Sequence, residues 1–356
     1  MRVDQWIPAF HWGDAIGDTA RHMRDFLRAR GYMSQIYCLD RDEGLESESD
    51  LFSCYPAPGK DDALIYHFAL PSPMTPAFKQ VGCRRILLYH NITPEKYFTG
   101  FNEEMARISR LGREELGSLS SCSHFALADS EYNRLELVEM GFQNTAVFPL
   151  FVDFDKYKQE PSRSDFDVFK DGRVNILFTG RIVPNKKIED LIRAAFYYKK
   201  YVSPMVRVII VGKTQSLPSY YRALIRMADE FYLQPDEICF TGHIPHEQMI
   251  SLYKIADVFL SMSEHEGFGL PFIESMVFDL PVIAYNCTAV PYTLGGAGIL
   301  INHKRPDYVG ELIYRMTQDP ELRTLIIQGQ RRRLKEFKQD DTEGRLLKFV
   351  GNAEVL

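Results

Sequence analysis

Two carboxylates eight positions apart, Glu266 and Glu274, bracket the run Gly267-Phe268-Gly269-Leu270-Pro271. An apolar stretch, Ala256 to Leu260, precedes it and reads as a buried strand; Phe272, Ile273, Met276 and Val277 follow at helical spacing. Pro271 suits a first helical residue, where no backbone N–H is needed. The two glycines let the backbone approach a ligand, and the open N–H groups of a helix start favour an anion such as a phosphate. One carboxylate can then face whatever lies beyond the turn while the other reaches hydroxyls beside it. Each glutamate alone also has an ordinary reading. Glu274, in the first helical turn, would complement the helix dipole for about 0.3–1 kcal/mol, and Glu266 would be solvated.

A second cluster is cationic. In Thr179-Gly180-Arg181 through Lys186-Lys187, Arg181 ends a strand and Lys186 opens a helix five residues later. Two cations near a helix start can grip a diphosphate and neutralise the charge that grows as it leaves. Without context both are surface cations. The turn Gly13-Asp14-Ala15-Ile16-Gly17-Asp18, between a strand at Val3–Ile7 and a helix at Thr19–Arg30, is an anion site in principle and equally an ordinary strand–helix turn. Its GxxxG spacing is not the dinucleotide fingerprint. Asp14 and Asp18 either contact acceptor hydroxyls, or Asp18 caps the helix. His67 and His90 both end strands. His67 reads as structural, whereas His90, followed by Asn91-Ile92-Thr93-Pro94, faces a polar turn. Arg107, Arg110 and Arg113 form either a solvated helix face or a row for lipid phosphates.

The paired acids Asp40-Arg41-Asp42 and Asp153-Phe154-Asp155 could suit Mg²⁺ or Mn²⁺. The first pair lies in an acidic loop with no phosphate-binding turn, and the expectation is that no metal is used. The six cysteines lack CxxC spacing, so neither a zinc site nor a disulfide framework is indicated, and a reducing cytoplasm is the expected location.

Positioning these groups requires strands that alternate with helices. Apolar runs at Gln35–Leu39, Leu64–Phe68, Arg85–Tyr89 and Phe125–Ala128, with helical patterns at Asn102–Leu116 and Glu131–Met140, indicate a parallel sheet covered on both faces. The pattern begins afresh at Asn175-Ile176-Leu177-Phe178. The expected division is residues 1–155 as a first α/β domain, a linker at 156–173 carrying Pro161, Ser162 and Ser164, and a second α/β domain at 174–339. A last helix at about 340–356 is expected to pack back on the first domain. Residues 1–150 hold 15 Lys and Arg against 21 Asp and Glu, out of totals of 42 and 48, which leaves 27 against 27. Neither half is basic, so nucleic acid is not an expected partner. No apolar run approaches the roughly 20 residues that span a bilayer.

The pairing of Glu266 with Glu274 around Gly-Phe-Gly-Leu-Pro resembles the Glu-x7-Glu signature of retaining GT-B glycosyltransferases of family 4 (glycosyl transferases group 1). Arg181 and Lys186 are similar to that family's Gly-Arg…Lys element, with Lys187 standing where many members carry Gly. The resemblance runs from Gly13 to about Val350 and is strongest at residues 175–192 and 238–300. It implies two Rossmann-like domains facing across a cleft and transfer of a sugar, with retention, from a nucleotide-diphosphate donor to a saccharide or lipid-linked acceptor. It also implies roles. Arg181, Lys186, Gly269, Leu270 and Gly17 would hold the diphosphate. Glu266, Gly267, Phe268 and Gly269 would hold the donor sugar, with His90 and Glu266 at the reacting carbon. Glu274 would bind ribose, His243 and Ile244 the base, and Gly13, Asp14 and Asp18 the acceptor. No metal or other cofactor is implied. The stretch His90 to Pro94 is similar to bacterial surface-polysaccharide mannosyltransferases and favours GDP-mannose over a UDP-sugar. Arg84, Arg85 and the arginines of 102–116 would favour a phosphorylated or lipid-phosphate acceptor and peripheral contact with the inner face of a membrane. A sugar-nucleotide epimerase or a phosphorylase of the same fold, or a non-catalytic nucleotide-sugar-binding subunit, are the alternatives.

Overall fold

The structure is a computed structural model that describes residues 1–159 and 165–351. Pro161, Ser162 and Ser164 of the expected linker lie outside the described residues. The chain forms two compact units. Unit 1 comprises Met1–Lys96, Glu104–Val152 and Asp340–Leu356, and unit 2 comprises Tyr97–Glu103 and Asp153–Gln339.

Unit 1 contains strands β1 (Val3–Phe10), β2 (Ile36–Arg41), β3 (Asp50–Leu51), β4 (Ala63–Phe68), β5 (Arg84–Tyr89), β6 (Phe125–Ala128) and β7 (Thr145–Val147). They are ordered β3-β2-β1-β4-β5-β6-β7, and every pairing is parallel. Helices α1 (Ala15–Ala29), α2 (Thr75–Gln80), α3 (Glu103–Gly117) and α4 (Glu131–Glu139) connect them. All six residues of β4 are buried, as a strand covered on both faces requires. Strands β3 and β7 are too short to show a period of two and were not among the expected strands. Helix α1 begins four residues before the expected Thr19, so Gly17 and Asp18 are helical rather than part of a loop. Asp14 is the N-cap residue by backbone conformation. A Cβ on Gly17 would lie 3.3 Å from the Phe10 ring and the His11 carbonyl, so glycine there lets α1 sit close on β1.

Unit 2 repeats the plan with β8 (Val174–Thr179), β9 (Val206–Val211), β10 (Ile238–Gly242), β11 (Val258–Ser261), β12 (Val282–Tyr285) and β13 (Ile299–Ile301), ordered β10-β9-β8-β11-β12-β13 and again parallel. Its helices are α5 (Ile188–Tyr201), α6 (Pro218–Glu230), α7 (His246–Ile255), α8 (Leu270–Val277), α9 (Val290–Leu294), α10 (Pro306–Gln318) and α11 (Pro320–Gln339). In each sheet the order reverses beside the first strand of the unit, between β1 and β4 and between β8 and β11. Ligands of open parallel sheets collect outside the carboxyl ends of the strands at such switch points.

The final helix, α12 (Thr342–Val350), belongs to unit 1. Leu346 and Val350 are fully buried in a cluster with Val3, Met23, Leu27, Ile65, Ile86, Leu88, Leu127 and Phe148. Arg84 donates to the carbonyls of Val350, at 3.1 Å, and Gly351, and Arg85 donates to the Lys79 carbonyl at 2.8 Å. Both guanidinium groups are thus engaged within unit 1. No helix among the described residues is long and apolar enough to cross a membrane.

Candidate functional site

The turn after β11 carries the paired glutamates. Gly269 has φ +89° and is the N-cap of α8; a Cβ there would come within 2.6 Å of the Phe272 ring, so both backbone and space demand glycine. Leu270 is the first helical residue and Pro271, which has no N–H, follows it; the Phe272 N–H donates to the Gly269 carbonyl at 3.0 Å, so the N–H groups that open α8 are those of Gly269 and Leu270. The Phe268 ring is turned into the core beside Phe337, so any contact it makes with a sugar is through its backbone. The Thr288 hydroxyl anchors the turn by accepting the Glu266 N–H at 2.9 Å and donating to the Glu266 carbonyl.

Glu266 and Lys186 meet at 2.6 Å, both mostly covered. Lys186 lies in a short 3-10 turn ahead of α5. Its neighbour Lys187 is left-handed, with φ +51°, and faces Glu189 and Glu264, each at 3.5 Å. The two adjacent lysines are therefore parted by that twist in the chain. Burial alone would raise the Glu264 carboxyl, but Lys304, at 2.9 Å, and Lys187 hold it below the ordinary carboxylate range. Arg181, just past β8, is exposed.

Glu274 lies in the second turn of α8, not the first, so the helix-dipole reading does not apply. It is 8% exposed, and tyrosine hydroxyls donate to both carboxylate oxygens: Tyr157 to Oε1 at 2.9 Å and Tyr253 to Oε2 at 2.7 Å. Tyr253 is itself hydrogen-bonded to the Thr179 hydroxyl at 2.9 Å, at the end of β8. Each carboxylate oxygen accepts more than one hydrogen bond, so a pair of tyrosines can fix the group while leaving lone pairs for a ligand's hydroxyls. Neither tyrosine carried a signal in the sequence, being 117 and 21 positions from Glu274. His243, exposed, and Ile244, partly covered against the core, follow β10.

In unit 1, His90 is committed at both ring nitrogens. Gln5 donates from its amide to the Ala20 carbonyl at 2.9 Å, so its oxygen accepts from His67 Nε2–H at 3.0 Å. His67 Nδ1 therefore accepts from His90 Nε2–H at 2.9 Å, and His90 Nδ1 meets Asp129 at 3.0 Å. Burial, then the neighbouring His90, holds His67 well below its ordinary value, while burial pushes the Asp129 carboxyl up against the pull of His90. A reacting carbon could reach His90 through its backbone or ring edge, not through an uncommitted nitrogen.

The remaining candidates divide. Asp18 cannot cap α1 because it is already within the helix; it pairs with Arg21 at 2.6 Å. Gly13, at φ +71°, and Asp14 form the turn before α1. The arginine row is not one solvated face: Arg107 and Arg110 are exposed and paired with Glu104 and Glu95, but Arg113 turns inward to Glu136 at 2.6 Å. Of the paired acids, Asp42 binds His11 and the Trp12 N–H, and Asp153 accepts the Asp155 N–H. Among the described residues no group of three His, Cys, Asp or Glu is arranged to hold a metal ion.

Two parallel, doubly wound units with this turn at the switch point of the second define the GT-B class of fold. Solved structures agree: the Anabaena protein Alr3699/HepE, in complex with UDP and glucose, matches 99% of this chain and 100% of its own, with a TM-score of 0.68 at 15% identity. Residues 161–333, a little under half of the chain, match the family model of glycosyl transferases group 1. The serotype-specific mannosyltransferase WbdA of Escherichia coli is 30% identical over 127 residues, 36% of this chain but 15% of WbdA. A D-inositol 3-phosphate glycosyltransferase of Salinispora arenicola is 28% identical over 233 residues, 63% of this chain and 51% of that protein. The chain thus aligns with about half or less of the length of these curated relatives.

Proposed function

We propose that the protein transfers a hexose from a nucleotide-diphosphate donor to a saccharide or lipid-linked saccharide, with retention at the anomeric carbon and without a metal. The observation that carries this reading is the set at the β8/β11 switch point: Arg181, Lys186, Glu266, the Gly269-capped start of α8, and a buried, doubly anchored Glu274.

The diphosphate sits at the opening N–H groups of α8 with Arg181 and Lys186 beside it, where backbone dipoles and cations stabilise an anion together. Lys186 exchanges part of its pairing with Glu266 for the phosphate, freeing Glu266 to take a sugar hydroxyl. Glu274 accepts hydrogen bonds from the ribose. In the reaction the bond from the anomeric carbon to the diphosphate oxygen breaks, and a bond to the acceptor hydroxyl forms on the same face. The acceptor's proton passes to the departing phosphate oxygen. Fixed cations at that oxygen supply the electrostatic help a metal would otherwise give. The mannosyltransferase relatives favour a mannosyl donor and, by their serotype and O-antigen names, a role in polysaccharide or glycoconjugate synthesis; GDP as the nucleotide and a place in the cytoplasm or at the inner face of a membrane are part of the same proposal.

The test is calorimetric titration of UDP, GDP and ADP with EDTA present, repeated on Glu274→Ala. One nucleotide should bind, with affinity reduced about tenfold or more by the substitution. Binding that needs a metal, or that ignores Glu274, would sink the assignment.

A further inference from the structure

The chain has two tryptophans. Trp6 is core, 1% exposed, whereas Trp12 leaves 56% of its surface to solvent. Exposed aromatic side chains are usually loosely held; this one is pinned. Its backbone N–H donates to Asp42 Oδ2 at 2.8 Å and its indole Nε1–H to the Glu43 carbonyl at 3.2 Å. The Arg21 guanidinium lies 4.8 Å from the indole ring and 5.0 Å from that of Phe10, and is itself held by Asp18 at 2.6 Å and Glu48 at 2.8 Å. The second oxygen of Asp42 meets His11 Nδ1 at 2.9 Å. Trp12 stands just beyond the carboxyl end of β1, at the switch point of the first sheet, where such folds take their ligands.

We infer that Trp12 is a stacking platform for a pyranose of the acceptor saccharide. A sugar ring offers an apolar C–H face to an aromatic surface and a rim of hydroxyls to polar neighbours. A pre-fixed indole meets the first need at little entropic cost, and His11 and Asp14, on either side of it in the chain, can serve the second. The surroundings fit a neutral polyol better than a lipid surface. The indole N–H is already used and the Arg21 guanidinium beside it is balanced by Asp18 and Glu48, while Asp14 and Glu43 add negative charge that disfavours anionic headgroups. As an acceptor site the platform rests on the glycosyl-transfer reading; as a saccharide site it does not.

The test is acrylamide quenching of tryptophan fluorescence with methyl α-mannopyranoside, methyl α-glucopyranoside and the corresponding α-linked disaccharides. Trp12→Phe, which retains only Trp6, identifies the responding signal. At least one of these sugars should protect the exposed tryptophan saturably and shift its emission to the blue. In transfer assays Trp12→Ala should raise the acceptor KM about tenfold or more with the donor KM within about twofold, and Trp12→Phe should recover part of the loss. Quenching unchanged by every sugar, or protection by anionic phospholipid vesicles instead, would overturn the inference. Nucleotide calorimetry tests the donor site proposed at α8, apart from Trp12, so protection by a sugar without nucleotide binding would retain the saccharide site and discard the transfer reading.

Discussion

The chain of bonds from Gln5 through His67 and His90 to Asp129 puts four polar side chains, each nine-tenths covered or more, at the centre of unit 1. Its protonation has a consequence for stability. In the folded protein His67 stays neutral well below pH 6.5, but in the unfolded chain it takes a proton near that value. Below pH 6.5 the unfolded state therefore binds more protons, and stability falls as the pH falls. Between pH 7.5 and 5.5 the loss should be on the order of 1 kcal/mol. Asp4, raised by burial to about 6 despite Arg2, acts with the opposite sign, since the folded state is then the one that binds the proton. That contribution is common to both proteins when wild type is compared with His67→Asn. Melting temperatures at the two pH values should show the smaller acid loss in the variant; equal losses would mean that His67 is not held neutral.

At the scale of elements, the turns after the strands do the positioning, and they were legible to different degrees. The turn into α8 could be read because glycine, proline and two acids lie within nine residues. The partners of Glu274 could not, because Tyr157 and Tyr253 come to it from a separate turn and from α7, with nothing local to mark either. The platform at Trp12 was missed for a similar reason: its anchors Asp42 and Glu43 follow β2 and reach it only because β2 pairs beside β1. The doubly wound order follows from alternating strands and helices, while the start of α1 was misplaced because Gly17 reads as a loop residue until its packing on Phe10 is known. Another turn carries a steric prediction. A Cβ on Gly212, after β9, would sit 1.9 Å from the Gly180 carbonyl oxygen, a contact only backbone movement can relieve. Gly212→Ala should cost about 3 kcal/mol, at the upper end for overpacking, read from the denaturant midpoint. Gly329→Ala, in α11 where a Cβ meets only the tip of Arg332, should be neutral or stabilising.

At the scale of the whole chain, unit 1 is assembled from segments that are distant in sequence, and α12 is the last of them. Leu346→Ala removes a fully buried side chain from the cluster around Ile65, Ile86 and Leu88, and should lower stability by about 2–5 kcal/mol. Hydrogen exchange should show the loss in β4 and β5 of unit 1, with β8 and β9 of unit 2 keeping their protection. Uniform loss across both sheets would contradict the division. The same arrangement bears on biosynthesis. Between Val152 and Asp340 the ribosome adds roughly 190 residues, which at about 5–20 residues per second takes on the order of 10–40 s. Throughout that interval the cavity that Leu346 and Val350 will fill lies open on a nascent sheet, while unit 2 can complete its own core as it emerges. Unit 2 can thus mature before unit 1 is complete, and a chaperone waiting for this protein would find its apolar target on the sheet of β1 to β7.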